Sequence, residues 1–237
     1  MRQAGRIVAE ALQRLREHVR PGVSTSELDR IAYETVTRRG AQPAFLGYRG
    51  YPASLCASIN DEIVHGIPSP ERVLREGDVI SLDFGSIYQG YYGDAAVTVG
   101  VGRVDSVAER LLETTEVALQ KGIEQARAGR HLTDISAAVQ SYAEGAGFSV
   151  VRKYVGHGIG RAMHEKPEVP NFGPAGRGPV LRPGLVLAIE PMVNTGTSDT
   201  IELEDGWTVV TADGGLSAHF EHTVAITEGE PEILTLP

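Results

Sequence analysis

Apolar side chains recur every three or four residues at the start of the chain, which predicts an amphipathic helix. Its buried face would consist of Ala4, Ile7, Val8, Ala11, Leu12, Leu15 and Val19. Pro21 and Gly22 end this helix. The spacing of Ser24 and Glu27 is that of a capping box that opens a second helix, which Gly40 closes. Two further helices with glycine stops are expected near 106–127 and 133–145.

Runs rich in apolar and β-branched residues predict strands. The clearest is VISLDFGS at 79–86, in which apolar and polar residues alternate, and GDAAVTV at 93–99 follows it. Helices followed by strands in each half of the chain favour an α+β fold. Strands are expected near 52–59, 62–65, 78–86 and 92–100, and then near 149–154, 185–192, 206–211 and 217–227.

The chain resembles itself when it is shifted by 107 positions. LREGDVISLD then aligns with LRPGLVLAIE, which places Asp83 on Glu190. After an insertion near 194–213, GDAAVTV aligns with FEHTVAI, which places Asp94 on Glu221. We therefore expect a single domain, residues 1–237, with two pseudo-twofold-related halves of about 1–105 and 106–237 whose sheets meet over one central site.

Composition narrows the function classes. The chain has 237 residues, of which 41% are hydrophobic and 22% charged, as in ordinary globular proteins. A net charge of −9 argues against nucleic acid as a partner. No apolar run approaches the roughly 18 residues that a membrane span needs. The single cysteine, Cys56, allows no internal disulfide and fits a reducing compartment.

Two aspartates, Asp83 and Asp94, interrupt apolar strands. A buried carboxylate costs several kcal/mol unless something pairs with it. With an even number of connecting residues, both side chains project from one face of a hairpin. The repeat adds Glu190 and Glu221 from the matching strands. Four neighbouring carboxylates repel one another unless cations bind among them. Oxygen ligands with an imidazole suit Mn, Fe(II), Co or Zn.

Three histidines lie in turns bounded by glycine. His157 and His164 belong to YVGHGIGRAMHE at 154–165, and His65 ends the run NDEIVH. We interpret His157 as the imidazole ligand and place the other two within reach of the same cleft. A lone histidine is more often structural, and this is the role assigned to His18, His131, His219 and His222. The pattern as a whole indicates a dinuclear metal hydrolase, in which two ions lower the pKa of a bridging water to about 7.

A set of motifs extends over nearly the whole chain: GYRGYPASLCASINDEIVHGIP, SLDFG with GYYGDAAVTV, GHGIGRAMHEKPEV, AIEPMV, DGWTV and SAHFEHTV. In this combination and order the sequence resembles the type I methionine aminopeptidases, in their short bacterial form. Their pita-bread fold, with helices outside a central antiparallel sheet, is shared with prolidase, aminopeptidase P and creatinase.

The resemblance implies a cytoplasmic, monomeric enzyme that acts on nascent polypeptide N-termini at the ribosome, with no nucleic acid or membrane as a direct partner. It would remove the initiator methionine, preferring a small second residue, by attack of a metal-bridging hydroxide. Two divalent ions are expected per chain.

The family also implies a role for each matching residue. Asp83 would bind one ion and His157 the other, while Asp94 and Glu221 bridge both. Glu190 would bind the His157 ion and shuttle the proton. His65 and His164 would contact the substrate, with His164 near the scissile carbonyl. The methionine pocket would be lined by Tyr48, Tyr51, Cys56, Met163 and Trp207.

Four residues depart from the family pattern. Met163 replaces a phenylalanine often found there, which could loosen the pocket. Gly85, Ala95 and Ala96 replace hydroxyl residues, so the hydrogen bonds that usually support ligand carboxylates are in question.

Three alternatives stay open at this level. One is an X-Pro peptidase of the same fold, although such relatives usually carry a separate N-terminal domain. Another is a binding protein without catalytic activity on the same scaffold. The third is a structural metal site or paired-charge core, but structural zinc prefers cysteines.

Overall fold

The computed structural model describes all residues, 1–237, and contains four α-helices besides a 3-10 turn at Tyr48–Gly50. They are α1 (Arg2–His18), α2 (Thr25–Arg38), α3 (Ser106–Gln125) and α4 (Leu132–Gly145), as the periodicity predicts. The Ser24 side chain accepts a hydrogen bond from the backbone N–H of Glu27 and caps α2. No helix has the length and apolar character that crossing a membrane requires.

The strands are short, apart from one long hairpin formed by β4 and β5. In chain order they are β1 (Gln42–Pro43), β2 (Cys56–Ile59), β3 (Glu62–Val64), β4 (Val79–Tyr88), β5 (Tyr91–Gly100), β6 (Ser149–Val150), β7 (Gly156–Gly158), β8 (Glu165–Val169), β9 (Val186–Ile189), β10 (Met192–Asn194), β11 (Thr200–Glu202), β12 (Val209–Thr211), β13 (Ser217–His219), β14 (Glu221–Ala225) and β15 (Glu232–Ile233).

A nine-stranded antiparallel sheet joins the two parts of the chain. Its main order is β1-β4-β5-β14-β9-β7-β8, with β2 paired to β4 and β15 to β14. The join lies between β5 and β14, where Ala95 pairs with His222 and Ala96 with Glu221. All four helices contribute side chains to one continuous apolar core with this sheet, including Leu15, Leu28 and Leu111. The expected α+β arrangement, with helices packed outside a central antiparallel sheet, is confirmed.

Matching backbone contacts recur 107 positions apart. An isolated bridge joins Ser24 to Val73, and another joins His131 to Val180. Likewise the N–H of Gly22 donates to Leu74 O over 2.8 Å, and that of Gly129 donates to Leu181 O over 3.0 Å. Both glycines have positive φ, 91° and 86°, a conformation that glycine adopts without steric penalty. The two halves therefore build the same helix-to-helix turn and fasten it at the same place.

The prediction that His157 lies in a turn is wrong, because His157 is the middle residue of β7. This strand is held between β8 and β9. A Cβ on Gly156 would overlap the carbonyl oxygen of Ala188, and one on Gly158 would overlap that of Lys166. The glycines therefore permit close approach of neighbouring strands, and they do not make a turn.

The single strand expected near 217–227 is interrupted at Phe220. Its first part, β13, belongs to a three-stranded sheet with β10 and β6, whereas β14 belongs to the large sheet. The insertion near 194–213 forms β11 and β12, and β12 pairs with β3 of the first half. These rearrangements bring segments from both halves to the edge of one cavity.

Candidate metal centre and active site

The β4–β5 hairpin places two carboxylates side by side. Asp94 lies opposite Gly85, and Asp83 lies two residues before Gly85 in β4, opposite Ala96. Since side chains alternate between the two faces of a sheet, Asp83 and Asp94 are diagonal neighbours on the same face. Asp94 is 3% exposed. The hairpin thus supplies two acids to one side of the cavity, as the sequence indicates.

Three further residues complete the cluster from the second half of the chain. His157 lies on β7, Glu190 directly follows β9, and Glu221 is the first residue of β14. One ligand atom each of Asp94, His157 and Glu221 lie within 4.8 Å of one another. His157 Nε2 is 3.4 Å from Glu190 Oε1. All five predicted ligands line a single cavity of about 150 Å³.

The chemistry of this cluster fits divalent cations. Asp83 Oδ1, Asp94 Oδ1 and Glu221 Oε1 are buried and have no hydrogen-bond partner, although buried carboxylate oxygens normally have one. Cations bound among them would satisfy these atoms and offset the repulsion between the acids. Carboxylates with one imidazole are ligands that first-row divalent metals accept.

Burial dominates the electrostatics of the four acids. It raises the pKa of Asp94 to about 7. Burial and then the charge of Asp94 raise the pKa of Asp83. Burial followed by repulsion from neighbouring carboxylates likewise raises the pKa of Glu190 and of Glu221. The protein alone therefore disfavours four charges in this space.

His157 is arranged as a neutral ligand. Burial lowers the pKa of its imidazole. Its Nδ1 is 2.9 Å from the carbonyl oxygen of Gly158, so Nδ1 carries the proton and donates to that oxygen. The lone pair of Nε2 is then free on the side of Glu190, where a metal would be bound.

A hydroxyl group supports Asp94 even though the two residues that follow it, Ala95 and Ala96, have none. The backbone N–H of Asp94 donates to Thr223 Oγ1 over 3.0 Å, and this hydroxyl donates to Asp94 O over 2.7 Å. Position 85 has no room for the expected hydroxyl residue, because a Cβ there would lie 2.9 Å from both Ala44 Cβ and a ring carbon of Phe45. Thr223, on the adjacent strand, thus anchors the backbone of this ligand.

One end of the cavity is apolar. Of the predicted pocket residues, Tyr51, Cys56, Met163 and Trp207 form this wall, and Phe45 joins them. The Tyr51 hydroxyl donates to the backbone carbonyls of residues 55 and 66, and its ring lies edge-on to Trp207 with centroids 5.1 Å apart. The wall is therefore held in place by hydrogen bonds outside the pocket.

Tyr48 contacts a predicted substrate-binding histidine. Its hydroxyl is 2.9 Å from His164 Nδ1, and the His164 ring lies 4.2 Å from that of His157, centroid to centroid. Burial first, and then His157, lower the pKa of His164 to about 4. His65 lies across the cavity at φ 61°, next to Trp207, and burial lowers its pKa too. Two neutral imidazoles thus face the same space.

Sequence reasoning missed three residues of this region. Phe45 and Arg49 line the cavity, and Arg49 lies between two glycines in GYRGYP, which was the available signal. His219 was assigned a structural role, yet its Nε2 is 3.8 Å from Glu190 Oε2. The sequence signal for His219 was its position in SAHFEHTV, two residues before the predicted ligand Glu221. By contrast, His222 bonds to Thr235, and His18 and His131 bond to backbone carbonyls outside the cavity.

Comparison with known proteins agrees with this geometry. The model of metallopeptidase family M24 matches residues 1–228. The chain belongs to metallopeptidase family M24. A methionine aminopeptidase of Clostridium perfringens is 57% identical to this M24 chain over 236 residues, covering 100% of the chain and 94% of the relative. The crystal structure of a methionine aminopeptidase from Thermotoga maritima has a TM-score of 0.99 and 47% identity, and the match covers 100% of this chain and 95% of that one.

A more distant similarity shows the fold alone. The prolidase of Pyrococcus horikoshii has a TM-score of 0.76 at 22% identity, and the match covers 99% of this M24 chain but 60% of the prolidase. Both structures confirm the pita-bread fold, and the similar proteins named methionine aminopeptidase confirm the resemblance to those enzymes. Membership of the M24 family and the buried cluster support divalent metal binding at this site.

Proposed function

We propose that this chain is a metal-dependent aminopeptidase that removes the N-terminal methionine from polypeptides and prefers a small second residue. One observation carries the proposal: five ligand-type residues, Asp83, Asp94, His157, Glu190 and Glu221, share a cavity with an apolar pocket. The relatives that are 50–57% identical over the full chain are named methionine aminopeptidases. An unbranched thioether suits an apolar wall of this kind.

The same cluster supports two divalent ions, with Mn, Fe(II), Co and Zn as the candidates. Asp83, Asp94, His157, Glu190 and Glu221 would hold these ions. The buried oxygens without partners on three of these acids favour this assignment. Such ions would supply the Lewis acidity that polarises a peptide carbonyl and makes water nucleophilic near neutral pH.

The residues of the chain would then bind the peptide, orient it and transfer protons to and from it. Glu190, at the edge of the cluster, would accept the proton of the attacking water and deliver it to the leaving amine. With the Tyr48 hydroxyl donating to His164 Nδ1, the proton of His164 lies on Nε2, which would donate to the scissile carbonyl oxygen. His65 would hold the peptide backbone opposite. Tyr51, Cys56, Met163 and Trp207 would exclude water from around the methionine side chain.

The organisation of the chain follows the same proposal. Residues 1–237 would act as one domain with halves of about 1–105 and 106–237, since both halves supply strands to one sheet and ligands to one cavity. A site completed within one chain is consistent with a monomer. Nascent chains at the ribosome, in the cytoplasm, would be the substrates, and one buried free cysteine fits a reducing compartment.

The test combines metal analysis with peptide cleavage. The protein is loaded with Mn(II) or Co(II), its metal content is measured by mass spectrometry, and release of methionine from Met-Ala-Ser and Met-Lys-Ser is followed by chromatography. We expect two ions per chain, rapid cleavage of the first peptide and little of the second. His157→Asn should lose metal and activity, whereas His131→Asn, a matched histidine change outside the cavity, should keep both.

Other outcomes would favour the alternatives. Hydrolysis of X-Pro dipeptides without release of methionine would identify an X-Pro peptidase. Two bound ions without hydrolysis of any peptide would indicate a binding protein.

A further inference from the structure

His219 is buried, and its ring lacks hydrogen bonds. It is 1% exposed, and neither ring nitrogen has a partner. Its backbone is fixed, because its N–H donates to Thr98 Oγ1 over 2.8 Å and its carbonyl accepts from the same hydroxyl over 2.8 Å. It also pairs with Met192 across β10. The position of the imidazole is therefore set by the sheet.

The two oxygens of Glu190 face two different imidazoles. Oε1 is 3.4 Å from His157 Nε2, and Oε2 is 3.8 Å from His219 Nε2. The longer separation exceeds a hydrogen bond by less than about 1 Å, which a small side-chain rotation closes. The backbone carbonyl of Glu190 accepts from Asn171 Nδ2 over 3.0 Å, so its main chain is already held.

His219 does not line the cavity, whereas Glu190 and His157 do. Its nearest ionisable contact in the cluster is Glu190, so we expect it to act on the reaction through Glu190. A ligand carboxylate that uses one oxygen for a metal leaves the other as a buried acceptor, and such acceptors usually receive a hydrogen bond from a neighbouring side chain.

We propose that His219 is a positioning residue for Glu190: its Nε2–H donates to Oε2 and so keeps Oε1 directed at the ligand cluster. The inference rests on the proposed metal-dependent function. It adds a residue that determines how tightly the site holds metal and how well Glu190 is oriented to transfer a proton.

The test compares His219→Gln with His219→Leu. The glutamine amide can place an N–H near the position of Nε2, whereas leucine fills similar space without a donor. Mn(II) affinity of the metal-free proteins is measured by isothermal titration calorimetry. We expect Leu to weaken binding about 10- to 100-fold and Gln to stay within about threefold of wild type. On Met-Ala-Ser, Leu should lower kcat with little change in KM.

Two controls separate positioning from packing. His222→Gln, at a histidine that faces Thr235 on the other side of β14, should leave affinity and kcat unchanged. Thermal unfolding should show that His219→Leu stays folded and is close to wild type in stability, because the change removes a buried Nδ1 that has no partner along with the proposed hydrogen bond from Nε2. If Gln and Leu weaken Mn(II) binding equally, or if neither does, the proposal is overturned. If wild type binds Mn(II) but cleaves nothing, the proposed function fails while the affinity series still decides this inference.

Discussion

Replacing Asp94 with asparagine should stabilise the metal-free fold. The carboxyl group is buried beside Asp83, Glu190 and Glu221, and its backbone is held by Thr223. Asparagine keeps the shape of the side chain but carries no charge at any pH. Comparison of wild type with Asp94→Asn therefore measures how much ionisation of this one carboxyl group lowers the free energy of unfolding.

The magnitude follows from the shift in pKa. Burial raises the pKa of Asp94 from the ordinary value of 3.8 to about 7. One pKa unit corresponds to about 1.4 kcal/mol, so complete ionisation destabilises the fold by about 4 kcal/mol. Folding raises the pKa of Asp94, so its carboxyl group destabilises the fold only when it ionises. Full stability is therefore present below pH 3.8, declines as the pH rises, and the loss is complete once the pH passes about 7. The advantage of asparagine should be about 4 kcal/mol at pH 8 and about 2 kcal/mol at pH 5.

The assay is urea unfolding in the presence of a chelator, at pH 5 and pH 8, followed by circular dichroism. Glu228→Gln, at an exposed carboxylate, is the matched control and should show no difference. Mn(II) at 100 times its dissociation constant should stabilise wild type by about 2.7 kcal/mol for each site that it fills, and Asp94→Asn much less. Equal stability of wild type and Asp94→Asn at pH 8 without metal would refute the reasoning.

Two further predictions concern the walls of the site. Tyr48→Phe removes the hydroxyl that lies 2.9 Å from His164 Nδ1. Loss of one such hydrogen bond, about 1 kcal/mol, should lower kcat/KM for Met-Ala-Ser about fivefold. An unchanged kcat/KM would show that Tyr48 does not orient His164. Gly85→Ser introduces a Cβ that would lie 2.9 Å from Ala44 and Phe45. Overpacking of this kind costs about 1–3 kcal/mol and should lower the thermal unfolding temperature by several degrees. An unchanged unfolding temperature would mean that Ala44 and Phe45 can move aside without loss of stability.

Local patterns determined the helices and the long hairpin. The apolar face of α1 and the cap at Ser24 depend on neighbours within one or two turns, so periodicity reveals them. The internal repeat led from Asp83 to Glu190, 107 residues later, and beyond the insertion from Asp94 to Glu221. The glycines around His157 indicated the imidazole, and the motif resemblance then implied a role for each ligand. The structure gathers all five around one cavity.

Contacts between distant segments could not be read from these patterns. The glycines beside His157 indicate a turn when considered alone, and only the neighbouring strands show that they allow close approach. Tyr48 matches a pocket residue by sequence, yet its hydroxyl meets His164, which is 116 positions away. The residues next to a tyrosine in sequence do not determine which distant group its hydroxyl will hydrogen-bond.

The sequence by itself determined the α+β class, the acids and imidazole of the cluster, and the family. Only the tertiary structure decided what surrounds them: the break at Phe220 that transfers His219 to a second sheet, the hydroxyl of Thr223 behind Asp94, and the packing that fills the space beside Gly85. The physical reason is that ligand identity is fixed by side-chain chemistry, whereas support for a ligand depends on which strands become neighbours when both halves fold against each other.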